Sequence, residues 1–429
     1  MIRTSTHTTK YLNTTKKSNL DIFINEYRRV SNIFVEYIWY NGFSWKHKEQ
    51  DKTFSLIDNK LELPHMLPST LIKECNLNTF LTGRALKCCL TQVSGMIRAE
   101  VEKQRKRLFI LDKLKSENIP RSKRKNLIKR LKQNIPVIPN TVNANPELNS
   151  ICCDFQYSDK EFNGFLRLKS ITKTKMDIKI PIKFNRHSRK LQSKGSLKNS
   201  FLISKNKIDF RWDIPNVEKR TEGIIVGADQ GLKDVLTMSD KQVTPKVDVH
   251  GHSLESIIDR LCRKTKDSKS FKRTQEHRKN FVNWDLNQID FSNIKQINLE
   301  RIWNIGYKSK KSRKMSHWTN TIIRDKVESL CELIGVQVNH QSSTYRSQRC
   351  SGCGMVRKSN RKRKSYECKS CGLILDADYN ASLNHEISLP EIPYNFRNLK
   401  LNREGFFWLE SGLFDLDGRS LQSLLQENS

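Results

Sequence analysis

No stretch of this chain approaches the about 18 apolar residues needed to cross a bilayer as a helix. A helical membrane anchor is therefore not expected. The first residues, Met1 to Thr15, are polar and Thr-rich, which argues against the apolar core of a secretion signal. Acidic residues are scarce beside basic ones: 45 Asp and Glu face 78 Lys and Arg, for a net charge of +33 over 429 residues. Such a field draws polyanions, nucleic-acid phosphate foremost. Paired cysteine spacing is also missing over most of the chain. The thiols scattered from Cys75 to Cys331 follow no disulfide framework, which suits a reducing cytoplasm.

One array breaks that pattern. Cys350, Cys353, Cys368 and Cys371 form C-x2-C-x14-C-x2-C, the spacing of a structural zinc site closed by four thiolates. The segment between the two pairs is basic and polar, so metal rather than a hydrophobic core is expected to fold it.

The length suits about two to four domains. Residues 1–13 read as extended. Leu20, Phe23, Ile24, Tyr27, Val30, Phe34 and Ile38 recur at steps of three and four, predicting a helix over 21–40. After Pro64 and Pro68, helix is expected over 69–99, then 100–119, then 121–134 beyond Pro120. Residues 101–135 carry 13 basic residues against three acidic, a density that points to a phosphate-facing groove. Arg105, Lys106, Arg107 and Arg124 are candidate contacts there. Pro136, Pro139 and Pro146 mark a boundary. Strand patterns follow over 151–157, 162–168, 176–184 and 201–214, with a basic loop at 186–198.

From Gly223 the order becomes α/β. An apolar run ends at Asp229, a returning strand covers 235–238, and a long charged helix covers 253–287. A strand over 294–300 ends at Glu300, a helix covers 316–333, and a strand follows at 336–340. Three acids stand out. Asp229 and Glu300 end strands, while Asp378 or Asp376 opens a helix just past the last cysteine. Clustered carboxylates call for a divalent cation such as Mg²⁺ or Mn²⁺, and a pair of such ions can hydrolyse a phosphodiester. A turn-forming role for each strand-end acid is an equal alternative at this point. Trp284, Trp303 and Trp318 are read as core. The histidines from His250 to His385 show no ligand spacing and are read as ordinary.

The motifs Gly227-Ala-Asp229-Gln-Gly231, Ile297-Asn-Leu-Glu300-Arg-Ile302, Ser347-Gln-Arg-Cys350-Ser-Gly-Cys353-Gly, Cys368-Lys-Ser-Cys371-Gly and Asp378-Tyr-Asn380-Ala-Ser-Leu-Asn384 occur in the order found in one group. In residues 223–386 the chain resembles the TnpB family of transposon-encoded RNA-guided nucleases and the compact type V CRISPR effectors related to them. The resemblance implies a multidomain α/β protein: an RNase H-like RuvC nuclease (219–345 and 376–429), with a zinc-ribbon insertion (346–375). Before it would come a wedge β-barrel (1–18 and 146–218) interrupted by a helical recognition lobe (19–145). Asp229, Glu300 and Asp378 would be the Mg²⁺ ligands, with Asp378 preferred over Asp376 by its place in the motif. Guide RNA and target double-stranded DNA would be the partners. The resemblance leaves the oligomeric state open, monomer or homodimer.

Arg346 and Arg349, flanking the first cysteine pair, are candidate phosphate contacts. Gln230 departs from the Leu usual in the first motif. The tail after Asn384, with Phe406-Phe407-Trp408, is read as a hairpin packed on the nuclease sheet. A nuclease-dead regulator and a strand-joining transposase are the competing readings.

Overall fold

The computed structural model describes residues 1–42, 45–48, 53–56, 72–73, 75–115, 119–174, 176, 178–302, 313–392, 396 and 399–421. They fall into an N-terminal unit, Met1–Pro215, and a C-terminal unit, Asn216–Ser429. Both mix helices with sheets, so the chain is α/β as expected. Among the described residues no helix is long and apolar enough to cross a membrane.

In the N-terminal unit, β1 (Ile2–Thr8) leads to α1 (Thr14–Tyr37), with β2 (Trp45–Lys48) and β3 (Thr53–Leu56) beyond it. The helices α2 (Gly83–Lys115) and α3 (Arg121–Gln133) follow. Next come β4 (Glu147–Asn149), β5 (Cys153–Tyr157), β6 (Gly164–Leu168), β7 (Ile178–Ile182), α4 (Arg186–Gln192), β8 (Ser196–Ile203) and β9 (Lys207–Asp213). One sheet has the order β1-β9-β8-β4 and another β5-β6-β7, and all their pairings are antiparallel. The α1 stripe behaves as its period predicts: Leu20, Phe23, Ile24, Tyr27, Val30 and Phe34 are all buried, each contributing roughly 1.5–3 kcal/mol.

Three expectations change here. The strand pattern over 201–214 is two antiparallel strands, β8 and β9, turning at Ser204–Asn206. The basic loop at 186–198 instead holds α4, because the Asn185 side chain accepts the Ser188 amide at 2.8 Å and caps a helix start. Residues 75–82 precede α2 without helix. Pro64, Pro68 and the start of the helix expected from residue 69 lie outside the described residues.

The C-terminal unit begins with β10 (Ile224–Gln230) and β11 (Leu236–Met238). The helices α5 (Leu254–Arg263) and α6 (Lys269–Leu286) then lead to β12 (Ile294–Arg301). After α7 (Arg313–Ser316) and α8 (Asn320–Glu332) comes β13 (Gln337–Ser342). The strand order is β11-β10-β12-β13, with β12 parallel to β10 and β13, and β11 antiparallel to β10. The long helix expected over 253–287 is broken at 264–268. There Ser268 starts a new cap by accepting the Phe271 amide at 3.1 Å.

Alternation sets the two faces of this sheet. Val226 and Ala228 of β10 and Ile297 and Leu299 of β12 join Leu254, Ile258, Phe281, Val282, Ile323 and Val327 in one buried core. The residues between them, Gly227 and Asn298, face the other way, against α9 (Ala377–Glu386). Gly227 has no side chain because none fits. A Cβ there would run into the Ser382 carbonyl oxygen and the Glu386 amide. Asn298 donates to the carbonyls of His385 at 2.9 Å and Glu386 at 3.1 Å, satisfying the end of α9.

Between β13 and α9 lie β14 (Met355–Val356), β15 (Arg361–Lys362), β16 (Ser365–Glu367) and β17 (Ile374–Asp376). The last three form their own antiparallel sheet. The tail forms the hairpin β18 (Phe406–Leu409) and β19 (Gly412–Phe414), and β18 pairs with β14. So the tail hairpin pairs with the cysteine-bearing segment, while Ile387 and Glu391 ahead of it meet Gln341 and Arg301 of the four-stranded sheet. The hairpin's apolar side chains decide its pairing: Phe406, Trp408 and Leu413 bury against Val356, Leu389, Ile392 and Phe396.

Candidate functional site: an acid cluster beside a four-cysteine knuckle

Asp229 and Glu300 follow Gly227 and Asn298 at a spacing of two, so both point to the α9 face. Asp229 is buried and Glu300 half-buried. With His385 of α9, each places one ligand atom within 4.8 Å of the others. Asp378, in the first turn of α9, is also buried. Burial, then repulsion from Glu300 and Asp378, pushes the Asp229 carboxyl well above its ordinary range. Burial pushes Glu300 to about 7; Arg361 and Arg346 oppose this, and Asp378 adds to it. Acids in this condition hold protons unless a cation replaces them. The converging group is thus two carboxylates and an imidazole, which could hold a divalent ion, while Asp378 stands beside it in ion pairs of its own.

The two aspartates that the sequence left in competition have separate tasks. Asp376 is exposed and caps α9, accepting the Asp378 amide at 2.9 Å and the Tyr379 amide at 3.1 Å. Asp378 turns inward and pairs with Arg361 at 3.0 Å and with Lys364. Lys364 also bonds Asp234 at 2.6 Å. Burial works against the Lys364 charge, yet its bonds to Asp234 and Asp378 leave its pKa raised.

Sequence reasoning missed Arg361 and Lys364, because they sit in a uniformly basic linker with nothing to single them out. It also missed His385. That imidazole is buried with no partner for Nδ1 among the described residues, and burial beside Arg346 lowers its pKa to about 3. It is therefore a buried, neutral imidazole beside the acids.

The cysteine sulfurs fit zinc. Sγ of Cys350 lies 3.6 Å from that of Cys371, and Cys353 lies 3.6 Å from Cys368. A tetrahedron with Zn–S bonds of about 2.3 Å has edges of about 3.8 Å. Each pair closes a knuckle in which the fifth residue, Gly354 or Gly372, donates its amide to the first cysteine's carbonyl at 3.0 Å. Both glycines are left-handed, at φ +79° and +76°, where a side chain is strained.

The Asn residues of the third motif join this knuckle to α9. Asn380 donates to the Arg349 carbonyl at 2.8 Å and accepts the Ser351 amide at 3.0 Å. Asn384 donates to the same carbonyl at 2.8 Å. Arg349 in turn donates to Asn384 Oδ1 at 2.5 Å and to the Trp408 carbonyl at 2.7 Å. Arg346 donates to the carbonyls of Ser342 at 3.1 Å and Asn384, with its guanidinium 5.3 Å from the Trp408 ring centre. Both arginines are buried. Nε and Nη1 of each are bonded inside the protein, so both arginines brace the knuckle against α9.

Arg107 is engaged likewise: it is buried and donates to the Leu131 carbonyl at 2.6 Å, tying α2 to α3. Arg105, Lys106 and Arg124 are exposed. Gln230 donates to the Glu300 carbonyl at 3.0 Å, bridging the two acid-bearing strands. Trp284 packs partly buried on the sheet core, and Trp318 is half-buried with its indole bonded to the Gly231 carbonyl. Trp303 lies outside the described residues.

The structure thus sets an acid cluster under a helix that is bonded to a four-thiol knuckle. Over part of its length the chain is similar to compact type V effector proteins. Residues 321–385 match the Cas12f1-like TNB domain family. Over 100 residues the chain is 35% identical to the CRISPR-associated endodeoxyribonuclease Cas12f1 of Sulfoacidibacillus thermotolerans, covering 23% of this chain and 22% of that protein's length. A solved Cas12f1–sgRNA–target DNA complex aligns over 90% of this chain and 99% of its own, at 13% identity and a TM-score of 0.42. A CasPhi-2 (Cas12j) structure bound to crRNA aligns over 53% of this chain and 63% of its own, at 9% identity and a TM-score of 0.34.

Proposed function

We propose that the protein is an RNA-guided DNA endonuclease whose cutting centre is Asp229, Glu300 and Asp378. One observation carries the reading: two strand-end acids share the sheet face covered by α9, and that helix brings the third acid and is itself bound to the thiol knuckle. In this reading residues 219–345 and 376–429 form a RuvC-type nuclease and 346–375 a zinc ribbon. Residues 1–18 and 146–218 form a wedge barrel around a recognition lobe at 19–145.

The buried acids would hold Mg²⁺ or Mn²⁺, which when bound supplies Lewis acidity and an activated water for phosphodiester hydrolysis. The protein's own groups do the rest. Gln230 fixes the strand ends that carry Asp229 and Glu300. Asn380, Asn384 and Arg349 fix Asp378 through α9. Arg361 and Lys364 hold Asp378 until a cation and a phosphate compete for them, and are then placed to meet the scissile strand. The +33 charge, with exposed Arg105, Lys106 and Arg124 on the helices, supports a phosphate-lined channel for guide and target.

Expressing the chain with its flanking non-coding DNA, isolating any bound RNA, and incubating the complex with a matched duplex and Mg²⁺ tests the function. Guide-dependent double-strand cleavage is expected. A preparation that binds no RNA and cuts no matched target would overturn it.

A further inference from the structure

Away from the acid cluster and the thiol knuckle, Asp248, His252 and His277 each bring one ligand atom within 4.8 Å of the others. Two of them come from one rigid turn. The Asp248 amide donates to the His252 carbonyl and the Gly251 amide to the Asp248 carbonyl, both at 2.9 Å. Gly251 sits at φ +75°, a left-handed conformation that lets residues 248 and 252 face the same way. Asp248 Oδ1 accepts the backbone amides of His250 and His252, both at 2.9 Å. That leaves Oδ2 directed at His252 Nδ1, 3.3 Å away. The third group comes from α6: the His277 ring stands edge-on to His252, with centroids 4.9 Å apart. The capping box of Ser253 and Ser256 ties this turn to the start of α5.

We propose that Asp248, His252 and His277 form a second transition-metal site, of the Zn²⁺ class, that clips the 248–252 turn to α6. The donor chemistry selects the ion. Two imidazoles and one carboxylate suit Zn²⁺ and its neighbours, whereas Mg²⁺ and Ca²⁺ prefer all-oxygen shells. With bonds of about 2.0–2.1 Å, the edge of a tetrahedral zinc shell is about 3.3 Å. The Asp248–His252 separation already has that length, and the half-buried imidazoles close the remaining span by turning about their last torsion. The fourth position is open to water or to exposed His250, whose ring centroid is 6.3 Å from that of His252.

One group opposes the ion. Arg260 on α5 approaches His277 Nδ1 at 3.5 Å, and its charge, after burial, helps depress the pKa of that imidazole. Among the described residues Arg260 gives up one long bond there, and the Asp248 carboxylate offsets its charge.

The test uses the full chain as purified, with its knuckle zinc in place, in buffer containing excess Mg²⁺ and no chelator. Titration with Zn²⁺, read by calorimetry and by metal content after gel filtration, should show one further equivalent beyond the knuckle zinc, and the thermal midpoint should rise with free Zn²⁺. His277→Gln and Asp248→Asn should each weaken that equivalent by more than the about 10–100-fold typical of a lost outer-shell partner. Asp229→Asn should leave it unchanged, which separates this site from the acid cluster. Asp248→Asn keeps a carbonyl oxygen for both backbone amides, so it decides the matter if His277→Gln lowers stability without added zinc. Absence of a further equivalent in the wild-type protein, or its survival in Asp248→Asn, would overturn the proposal.

Discussion

Asp285 on α6 is wholly buried, and neither of its carboxylate oxygens has a well-formed hydrogen bond among the described residues. Burial raises its pKa from 3.8 to about 7; the nearby Thr244 hydroxyl offsets part of this and Asp234 adds to it. The sign follows from linkage. The folded state binds this proton more tightly than the unfolded state, so ionising Asp285 costs stability. The cost is absent below the unfolded pKa, grows as pH rises toward 7, and is constant above that. At 1.36 kcal/mol per pKa unit, its plateau is about 4 kcal/mol.

Asp285→Asn mimics the protonated acid and removes the titration. The variant should match the wild type near pH 4 and exceed it by up to about 4 kcal/mol at pH 8. For a unit of this size that is a rise of about 10 °C in Tm. The measurement is chemical or thermal unfolding of both proteins across this pH range. Other titrating groups cancel in the difference, since both proteins share them. A difference that stays constant from pH 4 to 8 would refute the claim that a buried, poorly bonded carboxylate sits in this core.

Three further predictions bear on the site. Gly227→Ala should force α9 off β10, costing about 3 kcal/mol as an overpacked contact and slowing cleavage with guide binding unchanged; equilibrium unfolding and single-turnover cleavage check both. Arg349→Lys should lower stability by about 2 kcal/mol, because an ammonium cannot serve the Trp408 carbonyl and Asn384 together; urea unfolding measures it. Replacing Cys368 and Cys371 by Ser should release one zinc and expose 346–375 to proteolysis, leaving Asp229 and Glu300 in place; metal analysis and limited digestion report the two effects.

Local pattern made much of this molecule legible. The α1 stripe, the β10–β11 hairpin with Asp229, and the β12 strand with Glu300 depend on short-range periodicity, and they lie where the sequence put them. The cysteine spacing survives because ligand geometry fixes it. What stayed hidden depends on distant partners. Arg346 and Arg349 read as candidate phosphate contacts because Asn384 and Trp408, which receive their bonds, lie 35 to 59 residues away. The tail hairpin was foreseen, but its partner β14 is two residues long, too short to leave a strand pattern. His252 and His277 show no ligand spacing, since the packing of α6 against the 248–252 turn is what unites them. Gly227 shows the same limit from the other side: its lack of a side chain matters only because Ser382 and Glu386 approach it.

The most direct test of the acid-cluster account compares two aspartates two residues apart. Guide-loaded wild type, Asp378→Asn and Asp376→Asn would be given a matched duplex with Mg²⁺ under single-turnover conditions. Asp378→Asn should bind the target and lose cleavage by at least about 1,000-fold. Asp376→Asn, which keeps an oxygen to cap α9, should cut within a few-fold of wild type. Wild-type cutting by Asp378→Asn would contradict the account.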